Sequence, residues 1–125
     1  MLIDTDVLIW HLKGNIKAKN VIEKHRGFSI SVVNYIELVQ GLRNKKELNA
    51  LKKTFLHWQP RLLYITEEIS IKAMFLIEEY FLSHSLQLAD ALIAATALSH
   101  NLTLLSGNYK HFKAIKGLKV AKFIP

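Results

Sequence analysis

The feature that most limits what this chain can fold into is an alternation. Short apolar runs, too brief for helices, are separated by longer stretches with helical periodicity. That rhythm belongs to an α/β protein with a mostly parallel sheet and helices on both faces. Leu2–Ile3 begins the first strand, and a helix follows to about Leu12. Gly14–Asn15 marks a turn, and a second helix passes through Val21 and Ile22. FSISV from Phe28 reads as a strand leading into a helix over Val33–Leu42, which Gly41 helps to end. Between Lys45 and Trp58, the seam Leu48, Leu51 and Phe55 lies opposite Lys45, Lys46, Lys52 and Lys53, an amphipathic basic helix stopped by Pro60. A strand over Leu62–Ile65 follows. Thr66 then caps a helix with Glu67 and Glu68 in its first turn, where the helix dipole favours negative charge. That helix runs to about Leu82, and another spans Leu86–Ser99 with Ser85 as its expected cap. LTLL from Leu102 is a buried strand, and Leu118–Ile124 an edge strand. The strand order is not readable from this pattern, but ligands of such sheets sit beyond the strands' carboxyl ends.

The 125 residues suit one domain, and with 50% hydrophobic and 22% charged residues the composition is globular. The absence of cysteine excludes disulfides and cysteine-ligated metal centres. No signal peptide and no membrane-spanning run is visible, so a soluble, cytoplasmic protein is expected. The formal net charge of +7 favours a polyanionic partner such as RNA or DNA through counterion release. Surface lysines without a specific role account for the same surplus.

Against this basic background the acids are few. There are three aspartates, Asp4, Asp6 and Asp90. Asp4 ends the first strand and should project from the carboxyl end of the sheet, with Asp6 at the start of the helix. A helix cap explains one of the pair and leaves the other over. Asp6 is the better candidate for that local role. Asp90 is the only Asp, Glu, Lys or Arg between Tyr80 and Tyr109, inside the apolar helix SLQLADALIAATAL. A carboxylate buried there needs an ion-pair partner, a proton or a metal. Glu37 shares a helical stripe with Asn34 and Gly41, and its helix starts near the rim where Asp4 sits. A solvent-facing Glu has the same pattern. Ser106 and Asn108, in the loop SGNYKHF, would reach that rim from another strand, while His111 is either a ligand or base there or an exposed loop histidine. Carboxylates brought together repel unless one is protonated or a divalent cation neutralises them. An Asp, Glu and Asn oxygen set suits Mg²⁺ or Mn²⁺, which would activate water and balance charge on a phosphodiester. The basic surroundings would hold the rest of the nucleic acid.

At these residues the sequence resembles the PIN-domain ribonucleases, most closely the VapC-type toxins of prokaryotic toxin–antitoxin pairs. The matching blocks are LIDTDVLIWHLKGN, SISVVNYIELVQGLR and LADALIAATALSHNLTLLSGNYKHFKAIKGLKV. They occur in the family's order and cover nearly the whole chain, and the third is the most specific. The resemblance implies a three-layer α/β/α PIN-like fold with about five strands over residues 1–125, and a Mg²⁺-dependent endoribonuclease. It makes Asp4, Glu37 and Asp90 the acidic triad, with Asp4 and Asp90 as the direct Mg²⁺ ligands and Asn108 at the fourth position. Asp6 stands where the family often has Asn, which implies a supporting role. Asn108 in place of a carboxylate lowers the charge of the site by one and bears on whether a second metal binds. The resemblance also implies an RNA substrate, a cognate antitoxin and a homodimer.

Lys110, Lys113, Lys116, Lys119 and Lys122 recur every third residue. That spacing alternates faces on a strand, so they read as surface lysines, while Arg43, Lys45, Lys46, Lys52 and Lys53 are candidates for gripping RNA. A haloacid-dehalogenase phosphatase would need a late acidic loop motif, and a receiver domain an aspartate near mid-chain. Neither is present. The serious alternative is a non-catalytic basic PIN-like module that binds RNA or a partner protein.

Overall fold

A computed structural model describes residues 1–125. Its five strands are β1 (Leu2–Ile3), β2 (Ser29–Ser31), β3 (Arg61–Leu63), β4 (Leu104–Ser106) and β5 (Val120–Lys122). They form one sheet in the order β3-β2-β1-β4-β5, with every pairing parallel. The helices are α1 (Thr5–Leu12), α2 (Ile16–Lys24), α3 (Val32–Gln40), α4 (Lys45–Trp58), α5 (Glu67–His84), α6 (Leu88–Ser99) and α7 (Tyr109–Phe112).

Alternation along the strands divides the core in two. Leu2 and Leu104 are paired in register and face α5 and α6, packing with Ile69, Ala73, Ile93 and Ala94. Ile3 and Leu105 point the other way, onto Val7, Ile22, Leu38 and Leu51 of α1 to α4. The period of two in each strand therefore supplies both faces of a three-layer α/β/α sandwich. No helix is long and apolar enough to cross a membrane.

Several expected boundaries shift for local reasons. Ser85 does not cap α6: it takes a left-handed conformation (φ 49°) that ends α5, and Gln87 stands at the N-cap of α6. The loop SGNYKHF contains the helical turn α7, anchored by the fully buried Phe112. Thr66 caps α5 as expected, accepting from the backbone N–H of Ile69 at 3.2 Å. Leu51 and Trp58 of α4 are buried while Lys45, Lys46, Lys52 and Lys53 stay exposed.

Candidate active site

The sheet runs outward through β2 and β3 on one side of β1 and through β4 and β5 on the other. The connection order reverses between β1 and β4, and a crevice opens at such a switch point. Asp4 follows β1 there and Ser106 ends β4. The Ser106 hydroxyl donates to Asp4 Oδ2 at 2.7 Å and accepts the Asn108 N–H at 2.9 Å. Asp4 Oδ1 accepts from the Thr5 N–H at 2.8 Å and from Asn34 Nδ2 at 3.3 Å. Asp4, not Asp6, thus occupies the N-cap position of α1. Asp6 lies in the first turn, accepting the Val7 N–H with one oxygen and the Gly107 N–H with the other, both at 2.8 Å. It ties α1 to the loop after β4.

Asn34 has a role in the site that its place on the Glu37 stripe does not announce. It is fully buried on α3, where its Oδ1 accepts the Ser31 N–H at 2.8 Å in a capping box. That contact forces its amide nitrogen toward Asp4 and the Thr5 hydroxyl, the latter at 2.9 Å. Having accepted from Asn34, the Thr5 hydroxyl donates to Glu37 Oε1 at 2.7 Å. A directed chain of hydrogen bonds therefore runs from Asn34 through Thr5 to Glu37. The spacing S-x-x-N before an apolar helix was the available signal, since it marks a capping box by analogy with S-x-x-E.

Burial pushes the Asp4 carboxyl up to about 7, helped by the charges of Asp6 and Glu37 and opposed by the hydrogen bonds from Ser106 and Thr5. Burial also raises Asp6, against the N–H groups of Gly107 and Val7. None of Asp4, Asp6 and Glu37 pairs with a Lys or Arg, because the ion pairs of the chain lie elsewhere. These carboxylates are held by neutral donors only.

Asp90 is less buried than its apolar helix suggested. It sits in the first turn of α6 with its side chain 22% exposed, accepting the Gln87 N–H at 3.3 Å, with His111 Nδ1 3.8 Å from its Oδ2. No Lys or Arg meets it. His111 is exposed, as expected, but lies on the helical turn α7 as a neighbour of Asp90. Asn108 reaches the cluster through its backbone N–H, and its side chain makes no capping bond. No three His, Asp or Glu side chains converge tightly enough to form a metal cage, so Asp4, Glu37 and Asp90 are not drawn into one closed ligand set. A hard cation needs less than that. Mg²⁺ keeps several waters and binds through one or two carboxylates together with substrate phosphates, which the unneutralised, all-oxygen rim at Asp4 fits.

The PIN domain family model matches residues 1–118. The chain is 35% identical to ribonuclease VapC10 of Mycobacterium tuberculosis, over all of this chain and 95% of the relative. It is 33% identical to ribonuclease VapC1 of Methanocaldococcus jannaschii, over 96% of this chain and 85% of that one. Among solved structures, a toxin–antitoxin complex from Klebsiella pneumoniae superposes with a TM-score of 0.78 at 29% identity, covering 97% of this chain and 95% of its counterpart.

Proposed function

The chain belongs to the PIN-domain family, and on that premise we propose that it is a Mg²⁺-dependent endoribonuclease, the toxin of a VapBC-type toxin–antitoxin pair. The observation that carries the reading is the gathering of Asp4, Asp6 and Glu37 at the sheet's switch point without a cationic partner. In this reading Asp4 and Asp90 hold the ion, with Glu37 and Asn108 beside it, and Mn²⁺ can substitute. When bound, the ion polarises the phosphoryl oxygen and lowers the pKa of an attacking water. The residues of the chain do the rest. Ser106, Asn34 and the Thr5 backbone keep both Asp4 oxygens aimed by donating to them. Glu37, fixed by Thr5, keeps a second oxygen free to take a proton from water. The net positive charge draws RNA to the protein.

The partner in this reading is a cognate antitoxin whose basic tail reaches the acids and neutralises them in place of a metal. A homodimer belongs to the same reading. In this reading its face is the exposed apolar stripe Ile71, Met74, Phe75 and Leu82 on α5, between 45% and 83% exposed. The test is cleavage of structured RNAs by purified protein with and without Mg²⁺, alongside expression in a bacterium. Cleavage and growth arrest by the wild type, both lost in Asp4→Ala and Asp90→Asn, are the expected results. Cleavage that survives both substitutions removes the site, and no cleavage of any RNA favours a non-catalytic module binding RNA or a protein.

A further inference from the structure

Five lysines spaced three apart near the C-terminus read as scattered surface charge, yet the fold brings two of them to one place. Lys110 of α7 and Lys122 of β5 line a cavity of about 260 Å³ together with Gly107, Asn108, Tyr109 and His111. The cavity adjoins the acids. Gly107 and Asn108 are the residues whose N–H groups hold Asp6 and Ser106, and His111 stands beside Asp90. Neither lysine pairs with a carboxylate. Lys122 is nevertheless steered, because its ammonium lies 5.9 Å over the Tyr109 ring.

The carboxylates of Asp6 and Asp90 thus contact Gly107 and His111 of a cavity that is also lined by two lysines without an ion pair. A polynucleotide lying across this cavity meets both. The phosphate at the carboxylates needs a bridging cation, whereas its neighbour along the strand needs fixed ammonium groups. We infer that this cavity is a phosphate subsite, binding the RNA phosphodiester next to the one at Asp4 through Lys110 and Lys122, with Tyr109 positioning Lys122. The inference rests on the reading of the acidic cluster as a nuclease site and gives that site a neighbouring contact along the strand.

The test is binding of a short labelled oligoribonucleotide to the full chain, in Ca²⁺ in place of Mg²⁺, followed by fluorescence anisotropy over a range of salt. Each of Lys110→Ala and Lys122→Ala should weaken binding about 5-fold at 0.1 M salt. Each should also reduce the slope of log affinity against log salt by about 0.7, the loss of one phosphate contact on a single strand. Tyr109→Leu should reproduce part of the Lys122→Ala loss. Lys72→Ala, on α5 and paired with Glu68, should change neither quantity. Affinity and slope equal to wild type in both lysine variants, or losses no larger than that of Lys72→Ala, would overturn the subsite. Cleavage in Mg²⁺ is scored separately. If RNA is cut and the lysine variants bind normally, the subsite falls and the nuclease stands. If the lysines carry binding and nothing is cut, the subsite stands and the nuclease falls.

Discussion

Ser106 Oγ and Asp4 Oδ2 meet at 2.7 Å although 102 positions separate them in sequence. The contact joins the ends of β4 and β1, the two strands between which the connection order reverses. Because Ser106 also accepts the Asn108 N–H, its own proton is directed onto Asp4. The loop after β4 and the carboxylate after β1 are thereby one unit.

Stability should depend on pH through Asp4. Its carboxyl titrates near 3.8 unperturbed and at about 7 in the fold, so the folded chain binds more protons between those values. Its stabilising contribution is then fully present below the unfolded value and is lost as pH rises through the folded one. At roughly 1.4 kcal/mol per unit, the loss is on the order of a few kcal/mol. Asp4→Asn should abolish cleavage and make the melting temperature of the metal-free protein less dependent on pH, since a neutral amide cannot ionise in the buried site, although it takes away the acceptor of the Ser106 proton. The difference between wild type and variant should move in the variant's favour from pH 4 to pH 8, and a constant difference in thermal melts would refute the assignment. His11, lowered by burial, acts in the opposite direction in both proteins and cancels in the comparison.

The chain Asn34–Thr5–Glu37 predicts that the Thr5 hydroxyl matters through Glu37. Thr5→Val should lower kcat by about 10–100-fold, the usual cost of losing a supporting hydrogen bond, with KM little changed. Thr5→Ser should recover most of the rate. In a Glu37→Ala background Thr5→Val should cost nothing more, and an additive loss would show that Thr5 acts by another route. Without reference to activity, nuclear Overhauser contacts between residue 5 and Glu37 should persist in Thr5→Ser and vanish in Thr5→Val.

Gly107 is required by close approach. A Cβ there would collide with Asp6 Oδ2, the atom that accepts the Gly107 N–H. Gly107→Ala should destabilise the fold by about 1–3 kcal/mol, the range for overpacking. Adding Asp6→Ala should return part of it by clearing the obstacle. Denaturant melts of the single and double variants measure this, and no recovery in the double variant would place the strain elsewhere.

The apolar stripe on α5 should govern association. Phe75→Glu, at a position 58% exposed and away from the acids, should convert a dimer to a monomer in sedimentation velocity without changing the thermal midpoint by more than a few degrees. A wild type that sediments as a monomer at high concentration would remove the dimer from the reading.

The sequence by itself determined the periodic part of this protein. The short apolar run LTLL and the i, i+3, i+7 seam Leu48, Leu51 and Phe55 in KKELNALKKTFLHW are properties of single elements, so they reveal a strand buried on both faces, a helix's buried face and the α/β class. They also placed Asp4 at a strand's carboxyl end and singled out Asp90 by its isolation, and Thr66 announced the start of α5. What only the tertiary structure decided depends on partners far away in sequence. The order β3-β2-β1-β4-β5 brings Ser106 to Asp4, and α1 packed on α3 makes Thr5 the link between Asn34 and Glu37. The exposure of Asp90 follows from its place in the first turn of α6, which an all-round apolar helix conceals. The meeting of Lys110 and Lys122 needs α7 against β5, so no linear spacing could reveal it. Local periodicity reports which side of an element avoids water, and only the pairing of elements fixes which polar groups then face one another.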